Sequence, residues 1–245
     1  MNGKNILMSD SDRSFVLGSK YYRYSIKEVI FLNTLKDKPA DSWDVSADGS
    51  GDVQAWIKGA TLYIAAEGTI KISNGNFLFM SYSQVKKIEF NQCVDTSSVT
   101  DMQNMFYGCR QLTQLDLRGF DTSNVEDMSG MFSCCDVLET LNISSFDTSK
   151  VTHMGWMFCY CYQLKMLDIS KFNTKNVTSM NCMFSGCTNL KSLNVSGLNT
   201  VNVEDMSEMF SGCSSLEKLY LRDFKIPRGA DVTDMFAEVD RCAIC

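Results

Sequence analysis

The sequence predicts an α/β solenoid in which every coil contributes one short helix and one parallel β-strand, with a β-rich cap at the amino-terminal end. Three observations lead to this fold class. The dipeptide Met-Phe recurs at a fixed step of 26 along the chain, and the spacing of apolar residues changes in the middle of each copy. Before the repeats, apolar residues between 53 and 72 alternate around glycines. Repeats of this length are typical of proteins whose coils stack on one another.

The copies keep the same residue types in several columns. The Met-Phe pairs begin at Met105, Met131, Met157, Met183, Met209 and Met235. Val, Cys and Leu recur at the same step, and an imperfect earlier copy aligns Phe79 with Phe106 and Tyr82 with Cys109. The repeat array therefore begins near Asn76. We divide the chain into an N-terminal capping region with hairpins, residues 1–75, and the array, residues 76–245.

The first half of each copy is predicted to be a short helix. From Val125 to Cys135, apolar residues follow one another at steps of three and four, as on one face of a helix. Ser123 and Glu126 have the spacing of a capping box, in which two side chains satisfy free amide hydrogens of the first turn. We therefore expect a helix of about three turns in each copy.

The second half of each copy is predicted to be a strand of about five residues. Leu115 and Leu117 alternate with Gln114 and Asp116, so the leucines face inward and the polar residues face outward. Neither element can bury its apolar face alone, and burying one Leu or Phe contributes roughly 1.5–3 kcal/mol. The copies must therefore stack.

The two ends of the array need covers, because a bare end exposes core and unpaired strand edges. In the cap, residues 26–31 have the form of a repeat strand, residues 53–57, 62–66 and 69–72 suggest hairpins, and residues 37–52 suggest a loop. At the other end, a step of 26 from Leu216 and Leu219 lands on Cys242 and Cys245, with no strand after them. We expect an open edge at residues 216–221, suited to end-to-end self-association unless the last helix or another subunit covers it.

The residues from Phe120 to Phe132, Phe-Asp-Thr-Ser-Asn-Val-Glu-Asp-Met-Ser-Gly-Met-Phe, followed by Cys135 and Leu138-x-x-Leu141, closely resemble the repeat of BspA-like leucine-rich-repeat surface proteins. Residues 42–68 resemble the leader of such arrays in clostridial gut bacteria. The resemblance implies a leucine-rich-repeat solenoid on or outside a bacterial cell, used for adhesion or other protein contacts. Residues 1–10 lack the pattern of a signal peptide, and no cell-wall anchor is seen, so a cytoplasmic location stays open.

Composition and charge exclude several function classes. Basic residues number 23 against 29 acidic ones, which disfavours nucleic acid as a partner. Apolar runs are shorter than the roughly 18 residues of a membrane helix, so no membrane insertion is expected. The single histidine, His153, occupies an exposed position of the predicted helix, without paired acids or a phosphate-binding loop. We therefore expect no enzyme, no cofactor and no metal.

Ten of the eleven cysteines fall into three groups. One column is predicted to hold packed free thiols rather than a ladder of disulfides: Cys109, Cys135, Cys161, Cys187 and Cys213. Cys134, Cys159 and Cys182 lie outside it and are candidates for exposed thiols. The terminal Cys242 and Cys245 fit half a zinc site, a prenylation box or two apolar repeat positions, and the last reading is preferred.

Repeated Asp-Thr pairs such as Asp121-Thr122 could bind calcium between coils, but we expect them to satisfy backbone groups at the turns. The outward strand face is the predicted platform for a protein or glycan ligand. Its candidate ligand-binding residues are Asp116, Arg118, Asn142, Asp168, Asn194, Tyr220 and Arg222. The alternative is a structural spacer, whose polar strand face is simply solvated.

Overall fold

The computed structural model describes residues 6–7, 17, 19–239 and 243–244. This part of the chain is rich in β-structure, and its only helix is a 3-10 turn at Arg23–Ser25. Across these residues, no helix has the length and apolar character needed to cross a membrane. The strands are β1 (Ile6–Leu7), β2 (Glu28–Leu32), β3 (Trp43–Asp44), β4 (Val53–Lys58), β5 (Thr61–Ala66), β6 (Ile70–Ile72), β7 (Lys87–Glu89), β8 (Val94–Asp95), β9 (Gln114–Asp116), β10 (Thr140–Asn142), β11 (Ser192–Asn194), β12 (Lys218–Tyr220) and β13 (Ala243–Ile244).

The amino-terminal region builds a five-stranded sheet in the order β3-β4-β5-β2-β7. The hairpin predicted at residues 53–66 is confirmed, since β4 and β5 pair in antiparallel fashion. The strand predicted at residues 26–31 is also confirmed: β2 pairs in parallel with β7, with Val29 opposite Ile88. The prediction for residues 69–72 is wrong, because β6 pairs in parallel with β1 and β8 instead of forming a hairpin. The predicted loop contains the short strand β3.

The prediction of a helix in each copy is wrong, because these residues form a series of tight turns. Residues 104 and 108 have left-handed backbone, with φ of 55° at Asn104 and 72° at Gly108. A left-handed residue interrupts the hydrogen-bond ladder of a right-handed helix. The Met105 N–H donates three residues back, to the Met102 carbonyl, whereas the Phe106 N–H donates to the Met131 carbonyl of the next copy at 2.9 Å. Some backbone N–H groups of this segment therefore donate within their own turn, and others donate to the next copy.

The predicted capping box at the start of this segment does not form either. The Ser123 N–H donates to Asp121 Oδ1 at 3.0 Å, so the aspartate side chain closes the turn. The Glu126 N–H donates to the Thr100 carbonyl of the preceding copy at 2.8 Å. The amide hydrogens that a helix would leave free at its first turn are thus satisfied by the Asp column and by the stack.

The strands of the array are shorter than predicted: β9 to β12 have three residues each, and the copy between β10 and β11 has none. Strand β9 pairs with β10 and β11 pairs with β12, but residues 166–168 between them form no strand. On the opposite side, isolated bridges continue unbroken from Asp127 through His153 to Ser179. Backbone bridges on the turn side therefore still join the neighbouring copies at the point where the strand pairing is interrupted. Leu141 and Leu167, which point inward there, are only half-buried.

The predicted open edge at residues 216–221 is also wrong. Strand β13 pairs in parallel with β12, and Ile244 lies opposite Leu219. This register corresponds to a step of 25 along the chain, one fewer than the step between β11 and β12. Cys242 and Cys245 lie outside the described residues, so their predicted places in the Leu columns stay predictions.

The core is a set of columns in which each apolar side chain rests on its equivalent in the next copy. The phenylalanine column shows this most clearly, with ring centroids 5.4–5.7 Å apart and interplanar angles of at most 13°. Its members are Phe79, Phe106, Phe132, Phe158, Phe184, Phe210 and Phe236. All are buried except Phe236, at the carboxyl-terminal end, which is 41% exposed.

A buried arginine closes the amino-terminal end of the turn column. In later copies, backbone carbonyls of the turns accept N–H groups from the preceding copy. The first copy has no preceding repeat to supply them. Arg23 Nη1 donates to the carbonyls of Phe77 and Met80, at 3.1 Å and 2.6 Å. Its guanidinium group also lies 5.2 Å from the ring centroid of Tyr82. Arg23 thus gives the Met80 carbonyl the kind of donor that the equivalent Tyr107 carbonyl receives from Ser81 of the preceding copy. The Phe77 carbonyl also accepts the Met80 N–H.

Candidate functional site

Among the predicted ligand-binding residues, Asp116 and Arg118 form a pair at the end of β9. Arg118 Nε and Nη2 donate to the Asp116 carboxylate, with distances of 3.0 Å and 2.6 Å to Oδ2. The hydrogen bond from Arg118 lowers the pKa of Asp116. Both side chains are exposed and border a hollow of about 600 Å³, which Glu89 and Gln92 also line. This hollow offers a charged, polar surface at the amino-terminal part of the strand face.

Asn142, Asp168 and Asn194 use their side chains to close the turns after the strand positions. In each, Oδ1 accepts the backbone N–H of the residue two positions later. The acceptor-to-donor distances are 3.2 Å to Ser144, 3.0 Å to Ser170 and 3.0 Å to Ser196. These turns stabilise the bend of the chain and hold the three side chains in fixed positions.

Tyr220 and Arg222 lie at the far end of the strand face. Tyr220 is the last residue of β12 and is 38% exposed, and Arg222 is exposed beyond it. Asp116 occupies the position equivalent to Tyr220 four copies earlier. The predicted residues therefore occupy two columns of the strand face, one from Asp116 to Tyr220 and one two residues later with Arg118 and Arg222. Of the seven, only Asp116 and Arg118 line the hollow beside β9.

A second hollow, which sequence reasoning missed, lies on the turn side of the copies. This turn-face groove has a volume of about 600 Å³, and small residues including Ser129 and Gly130 line it together with larger ones from neighbouring copies. The larger lining residues include Tyr107 from the preceding copy and Trp156 and Tyr160 from the following one. The sequence does contain a signal for this groove, because one column changes from Gly130 to Trp156 between neighbouring copies.

Three cysteines and the single histidine also line the turn-face groove. Cys134 and Cys182 are half-buried, whereas Cys159 is buried, so the prediction of an exposed thiol is wrong for Cys159. Burial raises the pKa of Cys159 to about 12 and also raises the pKa of Cys182. Both are therefore protonated thiols at neutral pH and weak nucleophiles.

His153 is exposed at the rim of the groove, and its Nδ1 lies 2.9 Å from Thr152 Oγ1. Its predicted exposure is confirmed, although it forms isolated β-bridges with Asp127 and Ser179 and is not on a helix. Among the residues that the structure describes, no group of three or more His, Cys, Asp or Glu side chains is placed to hold a metal ion.

The cysteine column is built of free, packed thiols, as predicted. Each Sγ donates to the carbonyl oxygen of a phenylalanine in the preceding copy, at 3.2–3.3 Å. The threonine column behaves as predicted too: Thr122 Oγ1 donates to the Asp147 carbonyl at 2.9 Å and accepts the Asp147 N–H at 2.8 Å. Both columns therefore join the backbones of successive copies.

A family model described as "Mycoplasma protein of unknown function, DUF285" matches residues 69–141 and 135–243. Among curated proteins, none matches the chain. The chain is similar to a solved structure, a leucine rich cell surface protein from Faecalibacterium prausnitzii A2-165, at 14% identity. That likeness covers 89% of this chain and 88% of the other, with a TM-score of 0.21, which is too low to carry a structural argument.

Proposed function

The chain belongs to the DUF285 family, and from this premise we propose that it is a non-enzymatic interaction or adhesion module displayed on or outside a bacterial cell. The family match supports the resemblance of its repeat to BspA-like proteins. In this proposal the stacked copies are the coils of a leucine-rich-repeat solenoid, and the outward strand face contacts a protein or glycan ligand.

One observation carries the proposal: in three strands of the array, exposed side chains alternate with a leucine that is buried in the core. In β9, Leu115 is buried while Gln114 and Asp116 on either side of it are exposed. The same alternation of exposed and buried residues occurs in β11 and β12. A surface whose backbone is already ordered loses little conformational entropy when it binds, which favours affinity.

A binding assay with immobilised host matrix proteins tests the proposal. Replacing Asp116, Asp168, Tyr220 and Arg222 together by alanine is expected to weaken binding by at least about tenfold, as hot-spot losses do. A matched variant replaces Glu126, Glu204, Tyr24 and Lys175, which are exposed elsewhere and have the same charges, and is expected to bind normally. Binding that survives the strand-face changes contradicts the proposed surface.

A second candidate function, a structural spacer, is supported by the turn contacts of the strand face. The side chains of Asn142, Asp168 and Asn194 already accept backbone hydrogen bonds, and Asp116 is paired with Arg118. A spacer binds no matrix protein in the same assay. Reproducible turnover of a substrate, abolished by His153→Ala, would contradict both functions, and labelling of intact producing cells tests the proposed surface location.

A further inference from the structure

We propose that the turn-face groove is a second binding site, distinct from the strand face, and that it takes a neutral glycan. The groove lies on the opposite side of each copy from the strands, among the turns that replace the predicted helix. Its exposed aromatic side chains, its lack of charge and its unbonded amide groups each point to the same class of ligand.

The shape of the groove follows from the sizes of residues in neighbouring copies. Gly130 has no side chain, and its backbone lies against the side chain of Asn104 in the preceding copy. The next copy has Trp156 in the same column. In the groove of about 600 Å³, the Asn104 amide lies over Gly130 and forms one wall, and Trp156 forms part of the other. A hollow of this volume accommodates a ring of sugar size.

The two exposed aromatic side chains of the groove, Trp156 and Tyr160, occupy costly backbone positions without full burial. Trp156 and Tyr160 have left-handed φ of 57° and 58°, a conformation that their columns keep in other copies both at glycines such as Gly130 and at other residues such as Glu208. For a bulky residue this conformation is strained. Trp156 nevertheless remains 52% exposed, and Tyr160 remains 44% exposed although its ring lies over Gly186 of the next copy. Exposed aromatic residues held in strained positions are typical of sites that bind.

The lining of the groove contains no lysine, arginine, aspartate or glutamate among the described residues. Its polar groups are amides and hydroxyls, together with His153 at the rim. The side-chain amides of Gln103 and Asn104 have no hydrogen-bond partner in the described part of the chain, which leaves them available to a ligand. An uncharged ligand with hydroxyl groups complements this lining better than an anion or a cation does.

A sugar ring has both polar hydroxyl groups and an apolar face, and the groove has partners for each. Its hydroxyl groups exchange hydrogen bonds with amides such as those of Gln103 and Asn104. Its C–H face is apolar and packs on an aromatic ring such as Trp156, in the manner of other amphipathic contacts to aromatic side chains. A neutral glycan therefore satisfies both walls of the groove at once.

The test titrates the full chain with four neutral probes: maltohexaose, cellohexaose, laminarihexaose and mannohexaose. Polygalacturonate and chitosan oligosaccharides serve as an anionic and a cationic probe. We expect at least one neutral hexaose to bind with a Kd of about 1 mM or tighter and to shift the indole N–H signal of Trp156, with little effect on Trp43 and Trp56. The charged probes are expected to bind at least about tenfold more weakly.

Three variants complete the test. Trp156→Gly is expected to weaken hexaose binding about tenfold, the upper range of an aromatic contact, and to raise the melting temperature because the strain is removed. Ser129→Phe fills the groove and is expected to abolish binding, since Gln103 and Asn181 show that the column accepts larger residues. Tyr220→Ala, an exposed tyrosine on the strand face, is expected to leave hexaose binding unchanged.

Each of the following results overturns the proposal: no hexaose binds at concentrations up to about 10 mM, binding is unaffected by Trp156→Gly, or the charged probes bind as tightly as the neutral ones. A lower melting temperature of Trp156→Gly also overturns it, because the tryptophan then stabilises the fold. Loss of matrix-protein binding without loss of hexaose binding separates a failure of the strand-face function from a failure of this one.

Discussion

Cys135 Sγ donates a hydrogen bond of 3.3 Å to the carbonyl oxygen of Phe106, which belongs to the preceding copy. The same carbonyl accepts the N–H of Cys109 within its own turn at 3.2 Å. Cys135 is fully buried, and burial raises its pKa, so the thiol keeps the proton that it donates. The side chain thus fills the core and joins two copies at the same point.

We expect Cys135→Ala to lower the free energy of unfolding by about 1–2 kcal/mol, because it leaves a small cavity and removes a donor from a buried carbonyl. Chemical denaturation under reducing conditions measures this. The control is Cys134→Ala, at a half-buried position beside it, with an expected change below about 0.5 kcal/mol. Equal effects of the two substitutions would contradict a special role for the cysteine column.

Arg23 is 1% exposed and donates to the carbonyls of Phe77 and Met80. We expect Arg23→Met to lower the free energy of unfolding by about 2–4 kcal/mol, since methionine fills part of the space but removes a charged donor from both carbonyls. Arg118→Met, at an exposed ion pair, is expected to change it by less than about 1 kcal/mol. A thermal or denaturant series on both variants decides whether Arg23 caps the array.

Gly130 has a φ of 61°, and a side chain there would clash with Asn104 Oδ1. We expect Gly130→Ala to lower the free energy of unfolding by about 1–2 kcal/mol, from backbone strain and from this clash. Gly119→Ala is the control, because no atom lies within 4 Å of the position that its methyl group would take. A measured loss at Gly119 as large as that at Gly130 would show that the difference in backbone conformation has no consequence.

The carboxyl groups of Asp121 and Asp147 are expected to make the free energy of unfolding depend on pH. Hydrogen bonds from Ser123 and Ser149 lower the pKa of these two carboxyl groups in the folded chain. Their contribution to stability is therefore complete above the ordinary aspartate pKa of about 3.9 and is lost as the pH falls through the lowered values. We expect the free energy of unfolding to decrease below about pH 4.

The control for this pH dependence is present in the chain itself, since Asn173 and Asn199 occupy the same column. The double variant Asp121→Asn, Asp147→Asn is expected to keep its stability at pH 7 within about 1 kcal/mol. It should lose less stability than the natural chain between pH 4 and pH 2. An equally steep loss in the variant would show that other groups dominate acid unfolding.

The core columns could be predicted from the sequence because burial restricts each inward position to one residue type in most copies. Met105, Phe106 and Cys109 are buried as expected. The helix could not be predicted correctly, because tight turns place inward side chains at the same steps of three and four. The left-handed backbone at positions such as Asn104 distinguishes the two, and the column does not reveal it by residue type because Trp156 and Glu208 also have left-handed φ.

The strand face and the carboxyl-terminal edge were harder to predict in detail. The polar residues of the strand face alternate with buried ones as expected, but their hydrogen bonds to the following turns depend on backbone geometry. The pairing of β12 with β13 uses a step of 25, which a fixed step of 26 conceals. The turn-face groove depends on departures from the repeat, at Gly130 and Trp156, and not on its regular columns.

The turn segments are joined to the next copy by their backbone, and NMR couplings across hydrogen bonds test this central claim most directly. The Phe106 N–H is expected to couple to the carbonyl carbon of Met131, to which it donates at 2.9 Å. A helix would instead give a coupling to Met102, four residues earlier. A coupling to Met131 supports the stack, and a coupling to Met102 would contradict it.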